Sequence, residues 1–273
     1  MTAEEKAVLA RFLDCTGDFL AGGYVKDREP CVFEGRAQTG LPPASGDLSS
    51  LPLAYRMDED EEEEAWETHA VPGEEPRNFT GAESLADLTA AIAGCKACGL
   101  AAARTLTVPG EGAERPLVMV IGEGPGAEED ASGRPFVGKA GQLLDKMLES
   151  IGLSRDTNCY IANMVKCRPP GNRDPEAGEL AACFPFLERQ ITLLRPRLIL
   201  CAGRVAAQSL LKTGQGINAL RGTFAGFSPG GGETIPVLCT FHPSAVLRDE
   251  ALKRPAWEDL KLLRFHLDSL GGE

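Results

Sequence analysis

Four short apolar runs rich in β-branched residues punctuate the chain after its first third: LVMVIG at 117–122, CYIANMV at 159–165, RLILCAG at 197–203 and IPVLCTF at 235–241. Each is nearly continuous rather than alternating, the pattern of a strand buried on both faces. Between them lie segments with apolar positions at helical spacing, Lys139–Ile151, Pro175–Leu194 and Arg204–Leu211, and Pro255–Leu270 closes the chain. Such alternation predicts an α/β domain with a four-stranded parallel sheet covered by helices on both faces. Ligand sites in such sheets gather outside the carboxyl ends of the strands. Four places are therefore marked: after Gly122, around Asn163, after Gly203 and after Phe241.

Upstream the pattern changes. Val8, Leu9, Phe12, Leu13, Phe19 and Leu20 stand at roughly helical spacing and predict a short helix within residues 2–21. From Gly22 to about Arg77 the chain turns to Gly, Pro, Ser and acid, including DEDEEEEAWE at 58–67. A block of that kind repels itself and cannot bury enough apolar surface to fold. Residues 1–85 are thus read as an extension, a short helix followed by a disordered acidic linker, and 86–273 as the folded domain. The linker is either a solvated spacer, a docking arm for a protein partner or a mimic of nucleic-acid charge.

Charge sharpens this division. The formal net charge is −12, and residues 1–85 carry all of it with 19 acidic and 7 basic side chains, which leaves 86–273 neutral. The acidity therefore does not exclude a nucleic-acid ligand for the domain. No run of about 18 apolar residues occurs, so no membrane span is expected. The opening MTAEEKAVLARFLD lacks the basic-then-apolar order of a secretory signal, and the expected location is cytoplasmic.

The glycine-rich stretch after the first run, IGEGPGAEEDASGRPFVGKAGQLL, invites two nucleotide readings and satisfies neither. Gly122, Gly124 and Ala127 match a dinucleotide fingerprint, but that fingerprint needs a helix starting at the glycines to meet a pyrophosphate. Here Pro125 follows, then Glu128, Glu129 and Asp130, which would repel phosphate, and a second loop is expected before the helix. GRPFVGKA resembles a Walker loop, yet Ala140 replaces the hydroxyl that would bind magnesium. What the loop does offer is Phe136, a planar ring between Gly133 and Gly138, suited to stacking on a flat heterocycle or to anchoring the loop in the core.

Nine cysteines are present. Cys95 and Cys98 form a C-x-x-C pair before the first strand, while Cys167 follows the second strand and Cys183 lies in the next helix. Two distant pairs make a four-cysteine site, and the spacing suits zinc as well as iron–sulfur. Cys159, Cys201 and Cys239 lie in or beside apolar strands and read as small buried hydrophobes. Cys15 and Cys31 have no assigned role.

The remaining strand ends add an amide and an imidazole. Asn163 ends the second run in ANMVKCRPPGNRDP, with Lys166, Arg168 and Arg173 nearby, and His242 follows the fourth in FHPSAVLRD. A carboxamide offers a donor and an acceptor, which match an imide edge. Together, GEGPGAEEDASGRPFVGKAGQLL, NMVKCRPPGNR and FHPSAVLR, with the cysteines in register, closely resemble family-4 uracil-DNA glycosylases. That family is the iron–sulfur branch of its superfamily, and the resemblance covers roughly 86–270.

The resemblance implies a three-layer α/β/α fold around a four-stranded parallel sheet, and a [4Fe–4S] cluster on Cys95, Cys98, Cys167 and Cys183. It implies a monomeric enzyme that releases uracil from single- or double-stranded DNA and leaves an abasic site. Phe136 would stack on the flipped base, Asn163 would read its polar edge, His242 would donate toward O2, and Glu129 would crowd the 5-position. Glu123 and Gly124 would line the sugar side, with Glu123 able to orient water. Ser244, Val246, Leu247 and Arg248 would form a loop entering the minor groove, and Lys166, Arg168 and Arg248 would meet phosphates. Two other classes stay open at this stage: a non-catalytic iron–sulfur protein that binds DNA or partners, and a nucleotide-binding regulator.

Overall fold

A computed structural model describes residues 82–270. The predicted N-terminal helix and the acidic linker up to residue 81, with Cys15 and Cys31, lie outside the described residues. The chain runs α1 (Leu85–Gly94), α2 (Leu100–Ala103), β1 (Glu111–Gly112), β2 (Val118–Gly122), α3 (Ala127–Ser132) and α4 (Lys139–Glu149). It continues through β3 (Cys159–Asn163), α5 (Ala177–Leu194), β4 (Leu198–Ala202), α6 (Arg204–Leu211) and α7 (Ile217–Leu220). The last elements are β5 (Phe224–Phe227), β6 (Ile235–Thr240), α8 (Pro243–Arg248) and α9 (Lys253–Ser269). Ser84 starts α1 with a reciprocal cap: its hydroxyl accepts from the Asp87 amide at 3.1 Å, and the Asp87 carboxylate accepts from the Ser84 amide.

The strands form one mixed sheet in the order β1-β3-β2-β4-β6-β5. Its four central strands are the four apolar runs, and they are parallel. Along each, side chains alternate between two cores. Met119, Ile121, Tyr160, Ala162, Ile199, Cys201, Val237 and Cys239 pack with Leu88 and Ile92 of α1 and with α5 and α6. Val118, Val120, Cys159, Ile161, Leu198, Leu200 and Leu238 pack on the other side with α4 and α9. A strand with a helix layer on each face has no polar side to show, which is why these runs read as continuous. Cys159, Cys201 and Cys239 are buried, as expected of small hydrophobes.

The sheet has six strands, not the expected four. β1 and β5 add antiparallel edges to β3 and β6. Their sequences hide them: β1 is only Glu111–Gly112, and β5 is FAGF with a glycine at its third position. Edge strands need no two-sided apolar run. A second correction concerns the glycine-rich stretch, where the helix α3 does begin at Ala127 and carries Glu128, Glu129 and Asp130 in its first turn. Among the described residues no helix is long and apolar enough to cross a membrane.

α9 is tied to the sheet by a buried ion pair. Asp259 accepts from the Arg221 guanidinium at 2.8 and 3.1 Å and from the Thr240 hydroxyl at 2.7 Å. Arg221 also donates to the Pro255 carbonyl and lies over the Phe241 ring. Removing one partner of such a pair strands the other in the interior, at a cost of roughly 3–5 kcal/mol. Asp259→Ala should therefore lower the thermal melting temperature sharply; an unchanged melting curve would show that the pair does not hold α9 to β6.

Candidate active site

The parallel register brings three segments to one place. Gly122 at the end of β2 pairs directly with Asn163 at the end of β3, and Ala202 pairs with Thr240, so β4 and β6 end together as well. A Cβ built on Gly122 would lie 2.5 Å from both the Phe136 ring and the Asn163 Oδ1. The missing side chain is what lets the phenyl and the carboxamide share that space. His242 follows β6, and its ring centroid is 5.6 Å from that of Phe136. Gly203, after β4, lies under His242, where a Cβ would come within 2.9 Å of the histidine Cβ. Phe136, Asn163 and His242 therefore meet at one cluster of strand ends.

The loop carrying Phe136 is held from two sides. Phe136 sits in the left-handed region at φ 52°, which costs a non-glycine residue on the order of 1–3 kcal/mol. Glu129 accepts from the amides of Val137 and Gly138 at 3.0 Å with one carboxylate oxygen, and from Gly126 at 3.1 Å with the other. Arg155 donates to the carbonyls of Pro135 and Phe136, each at 2.8 Å. Gly141 on α4 lets the turned backbone pack closely, since a Cβ there would lie 1.9 Å from the Phe136 carbonyl oxygen. The glycines that mimic a phosphate cradle thus admit the protein's own backbone and rings.

Asn163 is buried, and its Oδ1 lacks a hydrogen-bond partner. An orphaned buried acceptor is expensive and is expected where a ligand supplies the donor. Its backbone is braced from beneath. Lys166 Nζ donates to the Asn163 carbonyl at 2.8 Å and to Gln190 Oε1 at 2.6 Å, and Gln190 donates to the Pro109 carbonyl. Burial pulls the Lys166 ammonium down to a pKa of about 8, against the opposing influence of Cys183.

His242 is fixed in one tautomer. The Ser244 amide donates to Nδ1 at 3.1 Å, and the Ser244 hydroxyl is 2.8 Å from the same atom. A backbone N–H can only donate, so Nδ1 is an acceptor and the ring proton lies on Nε2. Burial, then the positive charge of Arg248, pushes the imidazole pKa down to about 4, opposed by Glu129. The ring is neutral at pH 7 and offers one N–H. At the end of β2, burial followed by the charge of Asp174 raises the Glu123 carboxyl, while Arg204 lowers it. Gly124 faces Val165 and Pro169, where a Cβ would lie 2.9 Å from a Val165 methyl.

Two of the residues expected at the DNA are placed elsewhere. Lys166 is enclosed in the interior with its nitrogen on the Asn163 carbonyl, so it has no route to a phosphate. Val246 is fully buried in the core on the α4 and α9 side of the sheet, because the short helix α8 turns its Pro243 and Val246 face inward. Leu247, by contrast, is 48% exposed, and Arg248 is exposed beside it. Arg168 is partly exposed and donates to Asn172 Oδ1. Ser244 serves the His242 ring. Sequence reasoning marked the positions of Gly122 and Gly203 as strand ends but not the room their missing side chains leave, and it missed Arg155 and Gln190, for which no local pattern gave a signal.

The four paired cysteines lie together on the side of the sheet covered by α1 and α5. Burial is the main cause that raises Cys98, Cys167 and Cys183, and the thiols raise one another in turn. Cys183 reaches about 12. None is disulfide-bonded. Arg104 donates to Cys167 Sγ at 3.2 Å and the Lys166 amide to Cys183 Sγ at 3.3 Å, contacts that favour thiolate. Among the described residues no three His, Cys, Asp or Glu side chains close around a single ion.

A ring, an amide and a neutral imidazole thus stand together at the ends of parallel strands. The chain is similar to proteins known as type-4 uracil-DNA glycosylases. One, from Sulfurisphaera tokodaii, is 42% identical over 67% of this chain and 84% of its own length. Another, from Archaeoglobus fulgidus, is 40% identical over 66% and 91%. A third, from Thermotoga maritima, is 40% identical over 67% and 94%. Residues 109–261 match the profile of the uracil DNA glycosylase superfamily, and the chain belongs to that superfamily.

The histidine assignment has a direct check. Between about pH 6.5 and 4 the unfolded chain takes up a proton at His242 that the folded chain refuses. This residue's contribution to stability should therefore fall as the pH drops through that window. In NMR titration its imidazole signal should shift with a midpoint near 4; a midpoint at or above the ordinary value would overturn the neutral-donor reading.

Proposed function

We propose that this protein is a uracil-DNA glycosylase: it turns uracil out of DNA, cleaves the bond from the base to the sugar and leaves an abasic site. The observation that carries this reading is the convergence of Phe136, Asn163 and His242 on one strand-end pocket, with an Asn163 oxygen left for a ligand donor. The family supports the same substrate.

A stacked base cannot be reached, so extrusion or a single-stranded substrate is required, at a cost of a few kcal/mol in a duplex. Phe136 stacks on the extruded ring, Asn163 Oδ1 accepts from uracil N3–H, and its amide donates to O4. Cytosine presents an acceptor where uracil presents N3–H, and it would leave the Asn163 oxygen unpaired. Glu129, near enough to His242 to bias its titration, stands beside the base as well as bracing the loop. The N1–C1′ bond breaks with its electron pair passing to the base, and negative charge grows on O2. The Nε2–H of neutral His242 donates there, a preorganised dipole that needs no reorganisation during the step. Water then adds to C1′ with Glu123 on the sugar side orienting it, and the proton it sheds balances the one taken up by the departing uracil anion, leaving a 1′-hydroxyl and neutral uracil. Leu247 enters the space left by the base, and Arg168 and Arg248 meet the flanking phosphates.

The donor set of Cys95, Cys98, Cys167 and Cys183 fits a [4Fe–4S] cluster, which asks for four thiolates spread around a cube rather than four on one ion. Bound there, a cluster would supply iron–thiolate bonds linking the segment after α1 to α5 and to the turn after β3. The raised thiol pKa values mean that loading must displace protons. Cys167→Ala should lose iron and visible absorbance together; full retention of iron would remove Cys167 from the ligand set.

The function is tested by incubating the purified full chain with uracil-containing and matched thymine-containing oligonucleotides, then revealing abasic sites with alkali. Cleavage of the uracil strand alone is expected. His242→Ala should slow single-turnover excision by ~10²–10³-fold while DNA binding persists. DNA binding with no abasic sites in the unmodified protein would instead identify a non-catalytic binding protein.

A further inference from the structure

Phe136 reaches the pocket only because its backbone is held in an unusual state, and one side chain outside the described motifs is built around that state. Arg155, in the turn between α4 and β3, is 10% exposed. Its Nη1 donates to the Pro135 carbonyl at 2.8 Å and to Glu111 Oε1 at 2.9 Å. Its Nη2 donates to the Phe136 carbonyl at 2.8 Å and to Asp145 Oδ1 at 2.8 Å, and Nε donates to the same Asp145 oxygen at 2.9 Å. All five N–H groups of the guanidinium are thereby used. Two of them hold consecutive carbonyls of the loop, and three anchor the fork to carboxylates on α4 and β1.

We propose that Arg155 is a positioning residue for excision: it locks the 135–136 carbonyls so that the Phe136 ring lies over the extruded base. This rests on the reading of Phe136 as the stacking surface. The loop is gripped by opposite groups from opposite sides, carbonyls by Arg155 and the next two amides by Glu129. With φ at 52°, Phe136 has a lower-energy conformation available on the other side of the backbone map, and the grip opposes relaxation of the turn toward it. Relaxation would rotate the Phe136 carbonyl and swing the ring away from Gly122. Lysine cannot replace the grip, because an ammonium lacks the planar fork that meets two carbonyls and a carboxylate together.

A double-mutant cycle separates positioning from general support of the fold. Arg155→Lys should reduce single-turnover excision about 10- to 100-fold, the scale expected for a reacting group misplaced by about an ångström. It should weaken product inhibition by free uracil by a similar factor, while melting temperature and iron content stay near those of the parent. In a Phe136→Ala background the same substitution should change the rate by less than about twofold, because nothing remains to be positioned. Independent, multiplying effects of the two substitutions would overturn the proposal. If Arg155→Lys does not fold, Asp145→Asn, which loosens the fork from a half-exposed position, takes its place in the cycle. If the unmodified protein releases no uracil, the uracil reading is what fails. Positioning is then read from hydrogen exchange at the Val137 and Gly138 amides, which Arg155→Lys should accelerate; unchanged exchange would overturn it.

Discussion

Two neighbouring parallel strands end level with each other, and one of them ends in a residue with no side chain. Gly122 lies opposite Asn163, and the space a methyl group would fill is occupied by a phenyl ring and a carboxamide oxygen. An added carbon at 2.5 Å from both could be accommodated only by moving a loop and a strand end together. Gly203 has the same relation to His242 one strand further along. The site is therefore a property of the sheet: strand ends carry its groups, and the missing side chains of Gly122 and Gly203 give those groups room.

Around that volume the chemistry is arranged in advance. The imidazole is neutral because it is enclosed and because Arg248 is near, and its proton is directed to Nε2 by a backbone amide that cannot accept. The Asn163 oxygen is left unpaired inside the protein, a standing cost of about 1–3 kcal/mol that a ligand donor would relieve. The Phe136 turn is held against its own backbone preference by Glu129 and Arg155. Each group is held by its surroundings in a state it would not keep in water, so a small displacement of any support is felt at the ring, the amide or the imidazole.

Lys166 joins the pocket to the cysteine region. Its side-chain nitrogen holds the Asn163 carbonyl, its backbone amide donates to Cys183, and Cys167 is the next residue. Only three residues thus separate Asn163 from a thiol on the α1 and α5 side of the sheet. A lysine in a basic-looking stretch, NMVKCRPPGNR, would ordinarily be assigned to phosphate, and composition offers no hint that it points inward.

The apolar runs were enough to locate the four central strands, because a strand covered on both faces is apolar along nearly its whole length. The strand-end rule then pointed to Asn163 and to the segments carrying Phe136 and His242. Edge strands β1 and β5 escaped notice, since two residues, or a tetrapeptide with a glycine, carry no periodicity to detect. The direction of Lys166, the burial of Val246 and the service of Arg155 to a loop some twenty residues away depend on which backbone groups end up unpaired nearby. Those vacancies exist only after the sheet has formed. Local pattern thus determines what must be buried, while the partner of each polar group is chosen by three-dimensional packing.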